Sequence, residues 1–123
     1  MQIIAKIAVL VVALLHVLFL VLEMFLWNTP RGRRIFGLTP ELAEGSAKLA
    51  ANQGLYNGFL AAGLLWGTFA TFSGNDGFRV TMFFLGCVIV AGLYGGLTTK
   101  RSILVIQALP AIIAAALLYW SMQ

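Results

Sequence analysis

Four long apolar segments dominate the sequence and leave few folds open to the chain. They cover about 3–27, 50–72, 79–96 and 102–121. Each approaches the ~20 residues that an α-helix needs to cross ~30 Å of hydrocarbon. A segment surrounded by lipid must satisfy its own backbone hydrogen bonds, which favours helices over isolated strands. The pattern predicts an all-α, integral membrane four-helix bundle in which residues 1–123 form a single transmembrane domain.

The composition supports lipid as the solvent of these segments. Hydrophobic residues make up 61% of the chain and charged residues 10%, whereas soluble domains carry roughly 25% charged residues. The net charge of +4 comes mostly from short loops, so no nucleic acid partner is indicated. The single cysteine, Cys87, lies within an apolar run, excludes an internal disulfide and is expected to be a buried apolar residue.

The N-terminal segment is predicted to be the first transmembrane helix rather than a signal peptide. Its apolar run from Ile7 to Trp27 is longer than the roughly 7–15 residues of a cleavable hydrophobic region. No small-residue cleavage motif closes the run.

The first connector, from Asn28 to about Lys48, is the only long one. Within it, Thr39 and Pro40 form the pattern of an N-cap followed by proline at the first helical position. We therefore expect a helix that begins near Pro40, on the membrane surface. It then either runs straight into the second span or bends near Gly45–Ser46.

Basic residues are distributed unevenly between the two sides of the predicted bundle. The second connector, 73–77, has a turn composition, and the third, 97–101, is short and basic. The first and third connectors share one side and carry Arg31, Arg33, Arg34, Lys48, Lys100 and Arg101. The other side has Lys6 and Arg79. Since basic loops tend to stay in the cytoplasm, both termini are predicted to lie on the non-cytoplasmic side.

Glycines recur in pairs at a spacing that allows helices to approach closely. The pairs are Gly54 and Gly58, Gly63 and Gly67, and Gly92 and Gly96. Two explanations stay open, namely packing within one bundle and packing between subunits. Because four short helices enclose little interior, we also expect a homo-oligomer.

The first segment contains two ionisable residues, which is unusual for a transmembrane helix because a charged side chain is costly to place in lipid. His16 and Glu23 are seven residues apart and lie within ~20° of one helix face. We expect His16 to be a packed core residue. Glu23 requires a neighbouring cation or a bound proton, and Arg31, Arg33 or Arg101 are the candidate cations. No spacing of His, Cys, Asp and Glu supports a metal site.

Further polar residues lie at the same predicted depth, in the cytoplasmic half of the bundle. They are Asn52, Gln53, Tyr56 and Asn57 in the second helix, Tyr94 in the third and Gln107 in the fourth. The four in the second helix fall within an arc of ~140°. They form either a ligand site open to the cytoplasm or the inner leaflet, or a hydrogen-bond network that only fixes helix packing.

Several motifs resemble those of a widespread family of small bacterial membrane proteins that is known only as a domain of unknown function. They are the runs 23–27, 29–33, 36–38 and 51–61. The likeness covers essentially the whole chain. It implies a four-helix, multi-pass protein of the bacterial inner (cytoplasmic) membrane, but no activity.

The sequence is also similar, more distantly, to the superfamily of membrane-associated eicosanoid and glutathione metabolism proteins. These are trimeric four-helix proteins whose second helix opens with basic residues and an asparagine, as do Lys48 and Asn52 here. Their fourth helix opens with Arg-Ser and continues to Leu-Pro, as do Arg101-Ser102 and 109–110. Tyr94 lies near the position where that superfamily places a tyrosine.

This second resemblance implies glutathione as a cofactor and a trimer as the assembly. By the same resemblance, Lys48 and Asn52 would help to hold glutathione. Arg101 and Ser102 would lie beside its thiolate, which a guanidinium and a hydroxyl can stabilise. The glutamate of the superfamily's second helix is missing, with Gln53 and Leu55 nearby.

Three functions stay open from the sequence. The first is binding, or chemical modification, of a lipophilic small molecule at the cytoplasmic leaflet, with Arg101 and Ser102 as catalytic residues toward a thiol such as glutathione. Its ligand-binding residues would be Glu23, Arg31, Arg33, Lys48, Asn52, Gln53, Tyr56, Asn57, Tyr94 and Gln107. The second is a small proton-coupled transporter with Glu23 as the titrating group. The third is a lipid-binding membrane protein without turnover.

Overall fold

The computed structural model describes residues 2–70 and 75–123, and every regular element in these ranges is helical. The elements are α1 (Gln2–Met24), α2 (Pro30–Phe36), α3 (Pro40–Phe69), α4 (Asp76–Thr98), a π-helical turn (Leu104–Ala108) and α5 (Leu109–Trp120). The predicted all-α class is therefore confirmed. The chain divides into two compact units. We refer to Met1–Leu15 with Leu60–Gln123 as the terminal unit and to His16–Phe59 as the loop unit.

The ends of the helices differ by a few residues from the predicted spans. α1 ends at Met24 rather than Trp27, because the N–H groups of Phe25 and Leu26 both donate to the Val21 carbonyl, and the chain leaves the helix there. α4 extends beyond its predicted span at both ends. The predicted end of the second span, 71–72, and the start of the second connector, 73–74, lie outside the described residues.

The first connector contains a short helix, α2, that the sequence interpretation missed. Thr29 caps it, since its Oγ1 accepts a hydrogen bond from the Gly32 N–H at 3.1 Å, and Pro30 occupies the first helical position. Gly37 ends the helix in the left-handed conformation, with φ of +65° and its N–H donating to the Arg33 carbonyl. This ending suits glycine, which lacks the Cβ that disfavours positive φ.

α3 begins at Pro40, as the Thr39-Pro40 pattern predicts. Thr39 caps it by accepting a hydrogen bond from the Leu42 N–H at 3.1 Å. The helix then continues for 30 residues to Phe69. Of the two predicted alternatives, it runs through Gly45–Ser46 as one helix and does not break there.

The terminal unit has an apolar core to which all four long helical segments contribute. Its buried members are Val9, Val12, Ala13, Leu64, Leu85, Val88, Ala111 and Ala114. A cavity of about 500 Å³ lies at one end of this unit. It is surrounded by the start of α1, the end of α3, the start of α4 and the end of α5. Consecutive long helices within the unit therefore alternate in direction.

All six paired glycines pack against helices of the same chain. In the terminal unit, Gly63 meets Phe84, Gly67 meets Thr81, Gly92 meets Ala108 and Gly96 meets Leu104. In the loop unit, Gly54 and Gly58 meet α1. Among these six glycines, the closest approach to backbone is at Gly92, where a Cβ would lie 2.6 Å from the backbone nitrogen of Ala108.

The last helical segment is irregular near its start. The Leu109 N–H donates to the Leu104 carbonyl, five residues earlier, which defines the π-helical turn. Pro110 gives the physical reason, because it has no N–H to donate and its ring crowds the preceding turn of an α-helix. The predicted span 102–121 is thus helical from Ser102 onward, but not uniformly α-helical.

Two of the described helices, α1 and α4, are long and apolar enough to cross a membrane. The segment Leu104–Trp120 is apolar but shorter. α3 has the length, but charged and amide side chains occupy its first half; they are Glu41, Glu44, Lys48, Asn52 and Gln53.

Candidate functional site

A carboxylate and an amide meet in the loop unit, where α3 packs against the end of α1. The Asn57 Nδ2 donates a hydrogen bond to the Glu23 Oε1 at 2.7 Å. Asn57 is only 5% exposed, and Glu23 is half-buried. The structure thus brings together two of the residues that the sequence predicted for a ligand site.

Glycines explain why the two helices come this close. Gly54 lies one turn before Asn57 on the same face of α3, and Gly58 directly follows Asn57. A Cβ on Gly54 would lie 3.1 Å from the Glu23 Cβ, and one on Gly58 would meet the Leu20 side chain. Small residues on either side of Asn57 therefore allow its short side chain to reach the carboxylate.

Trp27 fixes the chain directly after α1. Its Nε1 donates to the Ser46 Oγ of α3 at 3.0 Å, and its ring lies 4.6 Å from the ring of Phe36 in α2. Ser46 in turn donates to the Leu42 carbonyl. Sequence reasoning missed both Trp27 and Ser46 as partners, although a tryptophan at the end of an apolar run is a typical boundary residue.

The other polar residues of α3 do not join the Glu23–Asn57 pair. Asn52, Gln53 and Tyr56 are exposed in the chain. At about 100° per residue, Asn52 and Tyr56 lie 100° or more from Asn57 around the helix, whereas Gln53 lies only about 40° from it, one turn earlier. The predicted polar arc is therefore divided, with Asn57 alone directed to α1.

The predicted cations of the loop unit do not pair with Glu23 either. Arg33 donates instead to the Asn28 carbonyl and to its Oδ1, at 3.0 and 3.1 Å. Arg31 and Lys48 are exposed. Within the described residues of this unit, the hydrogen-bond partner of Glu23 is the neutral amide of Asn57.

His16, at the start of the loop unit, is fully buried and packs edge-on against Phe19 at 5.3 Å between ring centroids. This confirms the prediction of a packed histidine.

The terminal unit holds the remaining predicted site residues, which do not converge on one point. Arg101 and Ser102 are exposed neighbours, and Gln107 is half-buried in the π-helical turn. Tyr94 is 72% exposed. It lies two residues from both Gly92 and Gly96, and therefore on the face of α4 opposite their contacts with the last helix.

Cys87 was expected to be buried, but it is half-exposed. It lines a shallow depression on α4 together with Phe83, Gly86, Val90 and Tyr94. The reason is that Cys87 shares the outward face of α4 with these residues, whereas Leu85 and Val88 enter the core.

The fold and site define an all-helical protein with two helices of membrane-spanning length and a carboxylate–amide pair near the end of the first. Residues 10–119 match the family described as "Protein of unknown function (DUF1304)". The chain belongs to this family, which confirms the resemblance to a family of unknown function.

One relative is described as the uncharacterized protein YpaA of Lactococcus lactis subsp. lactis (strain IL1403). It is 33% identical over 116 residues, which cover 93% of this chain and 95% of that protein. No solved structure matches the chain.

Proposed function

We propose that this protein crosses the bacterial inner membrane four times and binds a lipophilic small molecule at the cytoplasmic leaflet, through Glu23 and Asn57. The surface supports a lipid environment for the chain. Large apolar side chains are exposed along the helices, among them Leu14, Phe83, Val90 and Trp120, each at 66% or more. Water-soluble proteins rarely expose apolar surface so continuously.

The alternation of helix directions in the terminal unit supports the proposed topology. The start of α1 and the end of α5 lie at the same end of that unit as the start of α4. An even number of crossings returns the chain to the side from which it started. The excess of basic residues in the first and third connectors then favours N-out and C-out.

The single observation that carries the binding proposal is the partnership of Glu23 with a neutral amide. Asn57 occupies one carboxylate oxygen, Oε1. The second oxygen, Oε2, is left for a donor from a ligand, and an amine or hydroxyl group supplies one. A half-buried carboxylate whose partner among the described residues is a neutral amide therefore suits an amphiphile with a cationic or hydrogen-bond-donating headgroup.

Thermal unfolding of the detergent-purified protein tests this proposal, with decylamine as the probe and decanoate as the probe of opposite charge. We expect decylamine to raise the unfolding temperature in a concentration-dependent manner, because it binds the folded state. Glu23→Gln should abolish the shift, whereas Glu44→Gln, an exposed carboxylate of α3, should preserve it. An equal shift in Glu23→Gln, or an equal shift with decanoate, would contradict the proposal.

A thiol reaction is the catalytic extension of this proposal. Arg101 and Ser102 are adjacent and exposed, so a thiolate can reach both. Tyr94 lies on the face of α4 opposite the glycine contacts with the last helix. The extension therefore requires a homo-oligomer, with a trimer favoured by resemblance, in which a neighbouring copy completes the site. Stabilisation by millimolar glutathione that Arg101→Ala removes would support the extension. The absence of any shift would exclude glutathione and leave the Glu23–Asn57 site unaffected.

Proton-coupled transport is the second candidate, and the same carboxylate favours it. Glu23 lies on a span-length helix and pairs with an amide instead of a guanidinium, so protonation would not break an ion pair. In proteoliposomes, transport predicts substrate flux that depends on a proton gradient and stops in Glu23→Gln. Binding without such flux would leave the first proposal standing and exclude this one. Lipid binding without turnover is the outcome if neither reaction nor flux occurs.

A further inference from the structure

The short helix α2 has an inward and an outward face whose orientations are fixed. Inward, a Cβ on Gly32 would lie 2.8 Å from the Trp27 carbonyl oxygen, and the Phe36 ring packs against the Trp27 ring. Thr29 caps the start of the helix and Gly37 ends it. Rotation of α2 about its axis would break these contacts, so the opposite face stays outward.

The outward face carries two arginines for which the described part of the chain provides no hydrogen-bond or ion-pair partner. Arg31 and Arg34 are exposed, and the spacing i, i+3 and i+4 places Ile35 beside them. Ile35 is itself 50% exposed. Arg33 shows the contrast, since it is held by Asn28.

Acidic residues of the same unit do not neutralise this face. Glu41 and Glu44 lie in the first turns of α3 and are exposed. Among the described contacts of the loop unit, neither forms an ion pair with Arg31 or Arg34. Neither guanidinium group is therefore neutralised by an ion pair with these two glutamates.

Exposed apolar side chains also occur on α3 of the same unit. Leu42 and Leu49, seven residues apart on one face of α3, are 56% and 75% exposed. Arginine together with exposed aliphatic side chains is typical of segments that lie at the boundary of headgroups and acyl chains. Guanidinium groups also match the geometry of phosphate oxygens, to which they donate two hydrogen bonds.

We propose that the outward face of α2, formed by Arg31, Arg34 and Ile35, binds the phosphate headgroup of an anionic phospholipid. The charge of the face selects the lipid class, and the isoleucine lies against the upper acyl chain. This face shares no residue with the Glu23–Asn57 site, so either site can fail without the other.

Native mass spectrometry of the full chain in detergent tests the proposal, with phosphatidylglycerol titrated against phosphatidylcholine. We expect phosphatidylglycerol to bind more tightly. Replacing both arginines, in R31Q/R34Q, should weaken its binding about 30-fold, from roughly fivefold for each basic side chain at an anionic surface. R31K/R34K keeps the charge and should retain most of the affinity.

The matched control removes the same charge elsewhere. Lys6 and Lys100 are exposed residues outside the loop unit, and K6Q/K100Q should bind phosphatidylglycerol like the unmodified protein. An unchanged unfolding temperature in R31Q/R34Q shows that the fold survives. The proposal is overturned if R31Q/R34Q binds as tightly as the control, if both variants weaken equally, or if phosphatidylcholine binds as tightly as phosphatidylglycerol.

Discussion

Replacing Gly92 with alanine should destabilise the terminal unit by separating α4 from the π-helical turn. The new Cβ would lie 2.6 Å from the Ala108 nitrogen and 2.9 Å from its Cα, both backbone atoms that no rotamer change can move. Ordinary contact begins at 3.4 Å, so the backbones must separate by about the difference, 0.8 Å. A gap of ~0.5–1 Å forfeits a quarter to a half of the dispersion attraction at the contact. Overpacking of this kind costs about 1–3 kcal/mol.

Gly86→Ala is the matched control in the same helix. A Cβ there would meet nothing within 4 Å. Both variants replace a helical glycine by alanine, so the gain in helix propensity of ~1 kcal/mol cancels between them. We expect Gly92→Ala to be less stable than Gly86→Ala by about 1–3 kcal/mol, as measured by titrating sodium dodecyl sulfate into mixed micelles and following tryptophan fluorescence. Equal midpoints, or a more stable Gly92→Ala, would refute the close approach of the two segments.

Three further predictions concern the loop unit. Asn57→Ala leaves Glu23 without its donor and should lower the free energy of unfolding by about 1–3 kcal/mol. Glu23→Gln keeps an acceptor oxygen and should lower it less. The same titration compares the two variants, and the reverse order of stability would contradict the hydrogen bond. Trp27→Phe and Ser46→Ala should each lower the free energy of unfolding by about 0.5–1.5 kcal/mol, and the double variant should lose less than the sum of the two. A double-mutant cycle with zero coupling would show that the Trp27–Ser46 hydrogen bond contributes nothing to stability. Thr29→Ala removes the cap of α2 and should destabilise this helix by about 1 kcal/mol. The effect should be visible as faster amide hydrogen exchange confined to 30–36. Unchanged exchange there would show that the cap is dispensable.

The long helices could be predicted because many residues of each segment contribute to the same apolar pattern. Runs of apolar residues fix their approximate positions, and the Thr39-Pro40 cap fixes the start of α3. Their ends were less predictable, since the end of α1 depends on two N–H groups competing for the Val21 carbonyl. The π-helical turn has a local cause in Pro110, but the sequence does not reveal how the preceding turn adjusts to it.

α2 was predictable in principle, because Thr29-Pro30 repeats the pattern of Thr39-Pro40. What obscured it is its length of seven residues, which is too short to show an apolar period. Its stability comes instead from the two caps and from the contact of Phe36 with Trp27. Contacts between segments distant in sequence are not visible from local propensity.

The candidate site was predictable as a set of residues but not as a geometry. Angular position alone grouped Asn57 with three other polar residues of α3. Gly54 and Gly58 could have indicated which side of α3 packs against α1, because small residues allow another helix to approach. Asn57 lies between them in sequence and reaches Glu23, whereas Asn52, Gln53 and Tyr56 are exposed.

The proposed orientation in the membrane decides on which side the Glu23–Asn57 site and the α2 face would lie, and cysteine labelling tests it most directly. In a Cys87→Ala background, cysteine is introduced at the exposed positions Glu44 and Gln123 in separate variants. A membrane-impermeant maleimide is then applied to spheroplasts before and after permeabilisation. We predict that the cysteine at 123 is labelled from outside and that the cysteine at 44 is labelled only after permeabilisation. Labelling of position 44 in sealed spheroplasts, or equal labelling of both positions, would contradict a four-span protein with its basic connectors in the cytoplasm.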